Sequence, residues 1–256
     1  MSVVGVAAIA FASMFGATLV GMLLRSQLPD HYLSAESKEE IRLGTALIAT
    51  MAAVLLGLLI SSTRSSYEEK RGQVIRMTAD LIELDILMKD YGPEAGPVRV
   101  VMRDAVQPMI DSIWRVNAGS FRPNANAVPD AGTEAILSGV EQLSPQNDRQ
   151  RARRERALQV GLDLAHIQFI LFAQPANAIS MPFVTVLVLW LTFIFASFTI
   201  SSPPNRLIVA VLLFSALSAA SAIFLILDLD RPFGGLLQIP TAPLRNALPP
   251  LAGPAG

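Results

Sequence analysis

Residues 43–70 read LGTALIATMAAVLLGLLISSTRSSYEEK: an uncharged stretch from Leu43 to Ile60 that passes within a few residues into one rich in arginine, glutamate and lysine. At about 1.5 Å of rise per helical residue the uncharged part is about 27 Å long, close to the roughly 30 Å of a bilayer's hydrocarbon core. It predicts a membrane-spanning helix. Past Ile60, Tyr67, Val74, Thr78, Leu81 and Met88 recur at helical spacing with Glu68, Glu69, Lys70 and Arg76 between them, and nothing breaks the pattern before Tyr91. The span is therefore expected to continue as one long cytoplasmic helix, ended by Gly92-Pro93.

Three more uncharged stretches have the same character: Val3 to Leu24, Pro182 to Ile200 and Leu207 to Leu227. The expected fold is an all-α membrane protein. Its four transmembrane helices form two pairs flanking a helical cytoplasmic domain. The expected divisions are 1–63 for the first pair (about 3–24 and 43–60), 64–180 for the helical domain, 181–228 for the second pair (about 182–200 and 207–227), and 229–256 for a cytoplasmic tail. The first stretch has no basic segment before it and is longer than a signal-peptide core, so it is expected to be retained as a helix.

Composition supports this class. Hydrophobic residues form 52% of the chain and charged residues 16%, against roughly 25% charged in soluble domains. A net charge of −1, with no basic stripe interleaved with aromatics, excludes nucleic acid as a partner. Without cysteine there can be no disulfide, thiolate metal site or cysteine nucleophile.

Within the middle segment a second helix is expected from about Glu94 to Val116, with Val98, Met102, Ala105, Met109 and Ile113 on one face and Pro108 placed to kink it. Ala118 to Ser144 is rich in Gly, Pro, Asn, Ser and Ala and reads as a loop. Ser144-Pro145 offers an N-cap and first-turn proline for a third helix reaching about Ala173.

Three blocks of the chain carry a resemblance. LGTALIATMAAVLLGLLISSTRSSYEEK at 43–70, LIELDILMKDYGPEAGPVRVVMRDAV at 81–106 followed by Ile113-Trp114, and LDLDRPFGGLLQIPTAPLRNAL at 227–248 resemble, in this order, the bacterial bestrophin-like family, also known as the domain of unknown function 4239. Bestrophins are four-pass, helix-rich pentameric anion channels. The resemblance implies that architecture, a bacterial inner membrane location and, more remotely, a homo-oligomeric channel.

Several residues compete for a functional role. Thr45, Ala49, Ala53, Gly57 and Ser61 recur every fourth residue along the second span, as Ser13, Ala17 and Gly21 do along the first. Small residues at this spacing let helix backbones approach closely. Alternatively, Thr45, Thr50 and Ser61 line a pore and solvate an ion. Asp85 stands among Leu81, Ile82 and Met88, where a carboxylate needs a partner or a proton. A buried ion pair or capping bond involving Arg99 or Arg103 is one reading, a gate or proton-linked switch the other. Asp228, Asp230 and Arg231 close the fourth span. They are either interfacial anchors or a ring of charge at a pore mouth.

The basic run Arg149, Arg151, Arg153, Arg154 and Arg156 suits a solvated or subunit-pairing helix face better than a lipid site. About 25 residues of helix separate it from the third span. Asp163 and His166 share a helical spacing but lack a third metal ligand nearby, so neither metal nor cofactor is expected. No catalytic motif is present, and the spans lack ionisable groups. Catalysis is not expected. The partners expected are the lipid bilayer, further copies of the chain and an inorganic ion. The alternative to a channel is a membrane scaffold or sensor whose cytoplasmic helices bind a partner.

Lys and Arg set the orientation. Arg64, Lys70, Arg71, Arg76, Arg231 and Arg245 lie on the side of the middle segment and termini, against Arg25, Lys38, Arg42 and Arg206 opposite, which predicts a cytoplasmic middle segment. Cysteines introduced singly at Ser37 and Ser120 test this. An impermeant thiol reagent on intact cells should label position 37 and not 120, and the reverse pattern overturns the orientation.

Overall fold

The computed structural model describes residues 2–27, 34–117, 131–173, 179–201 and 206–248. These form α1 (Val3–Gln27), α2 (Ala35–Tyr91), a 3-10 turn (Pro93–Ala95), α3 (Gly96–Asn117), α4 (Ala131–Glu141), α5 (Asp148–Ala173), α6 (Met181–Ser201), α7 (Arg206–Leu229) and the short α8 (Ala242–Arg245). No strand occurs among the described residues. Four helices, α1, α2, α6 and α7, are long and apolar enough to cross a membrane. The chain divides into two units: Met1–Ser66 with Asn177–Asp230, and Tyr67–Ala176 with Arg231–Gly256. The 57 residues of α2 contribute to both.

In the first unit α1 packs on α6 and α7. Ala10 and Met14 of α1, Ala52 and Leu59 of α2, Leu187, Ile194 and Phe195 of α6, and Ala216, Ala220 and Ile223 of α7 make its core. Hydroxyl side chains along these helices turn inward to their own backbone: Thr18 donates to the Met14 carbonyl, Thr63 to Leu59, Thr192 to Val188 and Ser197 to Phe193. Each polar group is thus satisfied where water is scarce. The tightest approach is at Gly21. A Cβ there would overlap Thr199 Oγ1 and stand 3.0 Å from the Ala196 carbonyl oxygen. Just beyond it, Arg25 donates to the Ile200 carbonyl at 2.8 Å, meeting an orphaned acceptor and the negative end of the α6 dipole.

The second unit is built on a seven-residue seam. Val74, Met77, Leu81, Leu84, Met88 and Tyr91 of α2 are all buried, alternating three and four apart as in a coiled coil. Gly92 then takes φ 133°, a conformation that glycine alone adopts without strain, and the chain turns through Pro93 into α3. All five residues of the expected α3 face, Val98, Met102, Ala105, Met109 and Ile113, are buried. Each large apolar side chain among them stabilises the fold by roughly 1.5–3 kcal/mol relative to exposure. The tail docks on α3. Trp114 meets Phe233 edge-on at 5.0 Å and donates its indole N–H to the Ile239 carbonyl at 3.3 Å.

Two local expectations need correction. Composition predicts a loop over Ala118–Ser144, but its second half forms α4, while 118–130 lie outside the described residues, as does His31. The glycines that suggest a loop are contact points: a Cβ at Gly132 would come within 2.8 Å of the Ala105 Cβ, and one at Gly139 within 3.3 Å of Val98. Backbone proximity to α3, with Ile136 and Val140 buried, outweighs low helix propensity. The start of α5 also shifts. Its cap is Asn147, whose side chain accepts the Gln150 N–H at 2.9 Å, and Ser144-Pro145 precede the helix. An amide side chain three residues ahead of a bare N–H caps better than a hydroxyl left outside the turn.

Gly132→Ala should lower the unfolding free energy in detergent by about 1–3 kcal/mol, because its neighbour is a rigid Ala105 rather than the end of a flexible side chain. Gly96→Ala, where a Cβ meets nothing within 4 Å, is the comparison. Equal thermal denaturation curves for the two variants would show that α4 does not rest on that contact.

Candidate functional site

A four-residue step along an α-helix overshoots a full turn by about 40°, so four such steps from Thr45 to Ser61 rotate by about 160°. The structure follows this drift. Thr45 is buried, Ala49 half-buried, and Ala53, Gly57 and Ser61 exposed. The residues that face the unit's core instead follow a seven-residue step, which drifts by only about 20°: Thr45, Ala52 and Leu59, with Ile48, Leu55 and Leu56 alongside. Thr45 Oγ1 has no hydrogen-bond partner among the described residues.

The rest of the α2 span presents two exposed faces of different chemistry. Leu43, Leu47, Met51, Val54 and Leu58 form one, each about half exposed or more, as lipid would require. Ala46, Thr50, Ala53, Gly57 and Ser61 form the other, about a quarter turn away. Thr50 donates to the Ala46 carbonyl at 2.9 Å, which leaves its oxygen lone pairs outward. Nothing lies within 4 Å of a Cβ built at Gly57. The small face is therefore a surface of this chain and not a contact within it.

Asp85 is buried, its side chain 8% exposed. Arg99 takes both carboxylate oxygens, Nε to Oδ1 at 2.8 Å and one terminal nitrogen to Oδ2 at 3.0 Å, and Arg103 approaches to 3.9 Å. The hydrogen bonds that it donates to Asp85 hold the Arg99 guanidinium above its already high usual pKa. A planar fork meeting a carboxylate in this way fixes both distance and orientation, so the pair staples α2 to α3. A turn earlier on α2 and twenty residues past the apolar span, burial pushes the Asp80 carboxyl up. Nearby Asp163 and Glu83 add to the shift, while Arg156 and Arg76 oppose it.

Asp228 and Asp230 are buried and Arg231 half-buried. Asp230 accepts the Ile179 N–H at 3.2 Å, so its carboxylate is held by backbone within its unit. The basic run of α5 divides its labour. Arg154 donates to the Val140 and Glu141 carbonyls that end α4. Arg153 donates to the Asp90 carbonyl near the end of α2, Gln150 to that of Tyr91 at 3.1 Å, and Arg156 pairs with Glu83 at 2.8 Å. Arginines at helix ends satisfy orphan carbonyls and complement the dipole. Asp163 and His166 are exposed, and no cluster of three potential metal ligands occurs among the described residues.

Residues 3–244 match the bestrophin-like domain. The chain belongs to the bestrophin-like family and is a membrane protein of that type. No curated protein and no solved structure matches it.

Sequence reading missed Met77, Leu84 and Tyr91 of the α2 seam, and the division of the span into two exposed faces. A search at seven-residue rather than four-residue spacing finds both.

Arg99→Leu should reduce unfolding free energy by roughly 2–4 kcal/mol, because it strands a buried carboxylate. Asp85→Leu combined with Arg99→Leu should cost less than the sum of the single changes. Additive losses in chemical denaturation would show that the two groups do not act as a pair.

Proposed function

We propose that this protein forms a homo-oligomeric ion channel in the bacterial inner membrane, with its helical domain and termini in the cytoplasm and no catalytic activity. The observation that carries this reading is the second exposed face of α2. A helix surrounded only by lipid gains nothing from small and hydroxyl-bearing residues on one side, whereas close approach between copies, or a water-filled path, requires them. Thr50 and Ser61 lie on that face with Ala53 and Gly57 between them. Membership of the bestrophin-like family supports the same reading. The burial of Asp228 and Asp230 moves the expected selective element from the end of α7 to Thr50 and Ser61.

A second reading, a membrane scaffold or sensor, is favoured by exposed apolar residues in the charged part of the chain. Ile75, Ile82 and Ile86 of α2 and Leu162 and Phe169 of α5 are 41–60% exposed, beyond the segments that lipid would cover, and a bound partner would bury them.

Purified protein in planar bilayers separates the two. A ring of copies and a salt-dependent conductance are expected. Gly57→Leu should suppress that conductance while leaving the protomer folded, since the position is empty within a single chain. Unchanged conductance in Gly57→Leu would show that the small face meets lipid. Folded oligomers that never conduct would favour the scaffold.

A further inference from the structure

In the second unit a cavity of about 240 Å³ is lined by Arg103, Val106, Gln107, Arg245 and Leu248. Two of these five residues carry a guanidinium and none carries a carboxylate. Arg103 reaches the cavity from α3 with its side chain only 18% exposed. Arg103 lies 3.9 Å from Asp85, whose two oxygens are taken by Arg99, and donates to the Arg99 carbonyl at 3.4 Å, so the three side chains together keep one positive charge in excess. Arg245 comes from the last turn of α8. It makes no ion pair or hydrogen bond through its side chain with any described residue. Gln107 gives one amide N–H to Asp111 at 3.0 Å and keeps a second. Val106, buried, and Leu248, half-buried, supply an apolar wall.

Two positive charges on one small, partly desolvated cavity repel each other, and an anion between them reverses the sign of that interaction. Guanidinium forks match tetrahedral and planar oxyanions, which accept two parallel N–H bonds from each. Chloride has no such directionality, and a carboxylate neutralises only one of the two charges. We propose that this cavity binds a phosphoryl group, held between Arg103 and Arg245 with Gln107 as an additional donor. The volume lies below the 300–1,000 Å³ typical of drug-sized ligands, which suits inorganic phosphate or the phosphoryl end of a phosphate monoester. Two sources present this chemistry, a soluble phosphate and the headgroup of a phosphate-monoester lipid. Bound there, the group joins α8 to α3.

Thermal unfolding of the full chain in neutral detergent, titrated with inorganic phosphate at constant ionic strength, tests the site. A saturable rise in Tm with phosphate and none with chloride is expected. Arg245→Ala, which removes an exposed side chain, should raise the apparent Kd for phosphate about tenfold or more, as loss of charge-assisted hydrogen bonds requires. Arg245→Lys should retain part of the affinity, and Arg149→Ala on the exposed face of α5 should leave it unchanged. Mixed micelles carrying a phosphate-monoester lipid then assign the source. Competition with inorganic phosphate, lost in Arg245→Ala, supports the site with lipid as its ligand, and absence of competition supports it with a soluble one. Equal responses to phosphate and chloride, or an unaltered phosphate response in Arg245→Ala, overturn the proposal.

Discussion

A backbone placed in hydrocarbon must satisfy every N–H and C=O from within, and helix is the solution open to a single span. The first unit is organised by that constraint. Thr18, Thr63, Thr192 and Ser197 bond back to carbonyls one turn earlier, and Arg25 closes an open carbonyl at the end of α6. With backbone polar groups met inside each helix and no hydrophobic force between helices in lipid, association depends on how closely backbones can approach. Gly21 is where α1 and α6 use this freedom: any side chain there would occupy the space of Thr199. Gly57, which looks equivalent by its spacing, has open space around it. The same residue type is thus spent inside the chain in one helix and presented outward in another.

The second unit obeys a different constraint. Here helices have a charged outer surface, and burial of apolar side chains drives the packing. Methionine is prominent in its core: Met77, Met88, Met102 and Met109 are fully buried, a residue suited to irregular spaces between helices. Polar contacts then set geometry. Asp85 with Arg99 fixes α3 against α2, Arg153 and Arg154 of α5 close the ends of α2 and α4, and Arg156 pairs with Glu83. A charge run that suggests a binding surface in sequence is mostly structural, which leaves the guanidinium of Arg245, paired with no described residue, as the more informative cation.

Family membership and the membrane helices define what kind of protein this is, and the faces of α2 suggest how it acts. The large-residue face and the small-residue face lie side by side on one span. The proposed assembly of copies would use that asymmetry, and a scaffold resting in lipid would not need it.

The sequence alone determined the class, the four spans and the continuity of α2, because a run of about 20 uncharged residues has few physical alternatives and no proline stands between Ser34 and Gly92. The face of α3 was equally legible, since Val98, Met102, Ala105, Met109 and Ile113 repeat with the helix itself. Tertiary structure decided the rest. Whether Gly132 and Gly139 mark a loop or a close helix contact depends on α3 standing beside them. Which small residues of α2 are buried depends on the accumulated drift between a four-residue step and the helical turn. Arg103 and Arg245, 142 positions apart in the chain, share a cavity because the tail docks on α3 through Phe233 and Ile239. Local periodicity records which way a residue faces on its own element. It carries no information about what another element places in front of it.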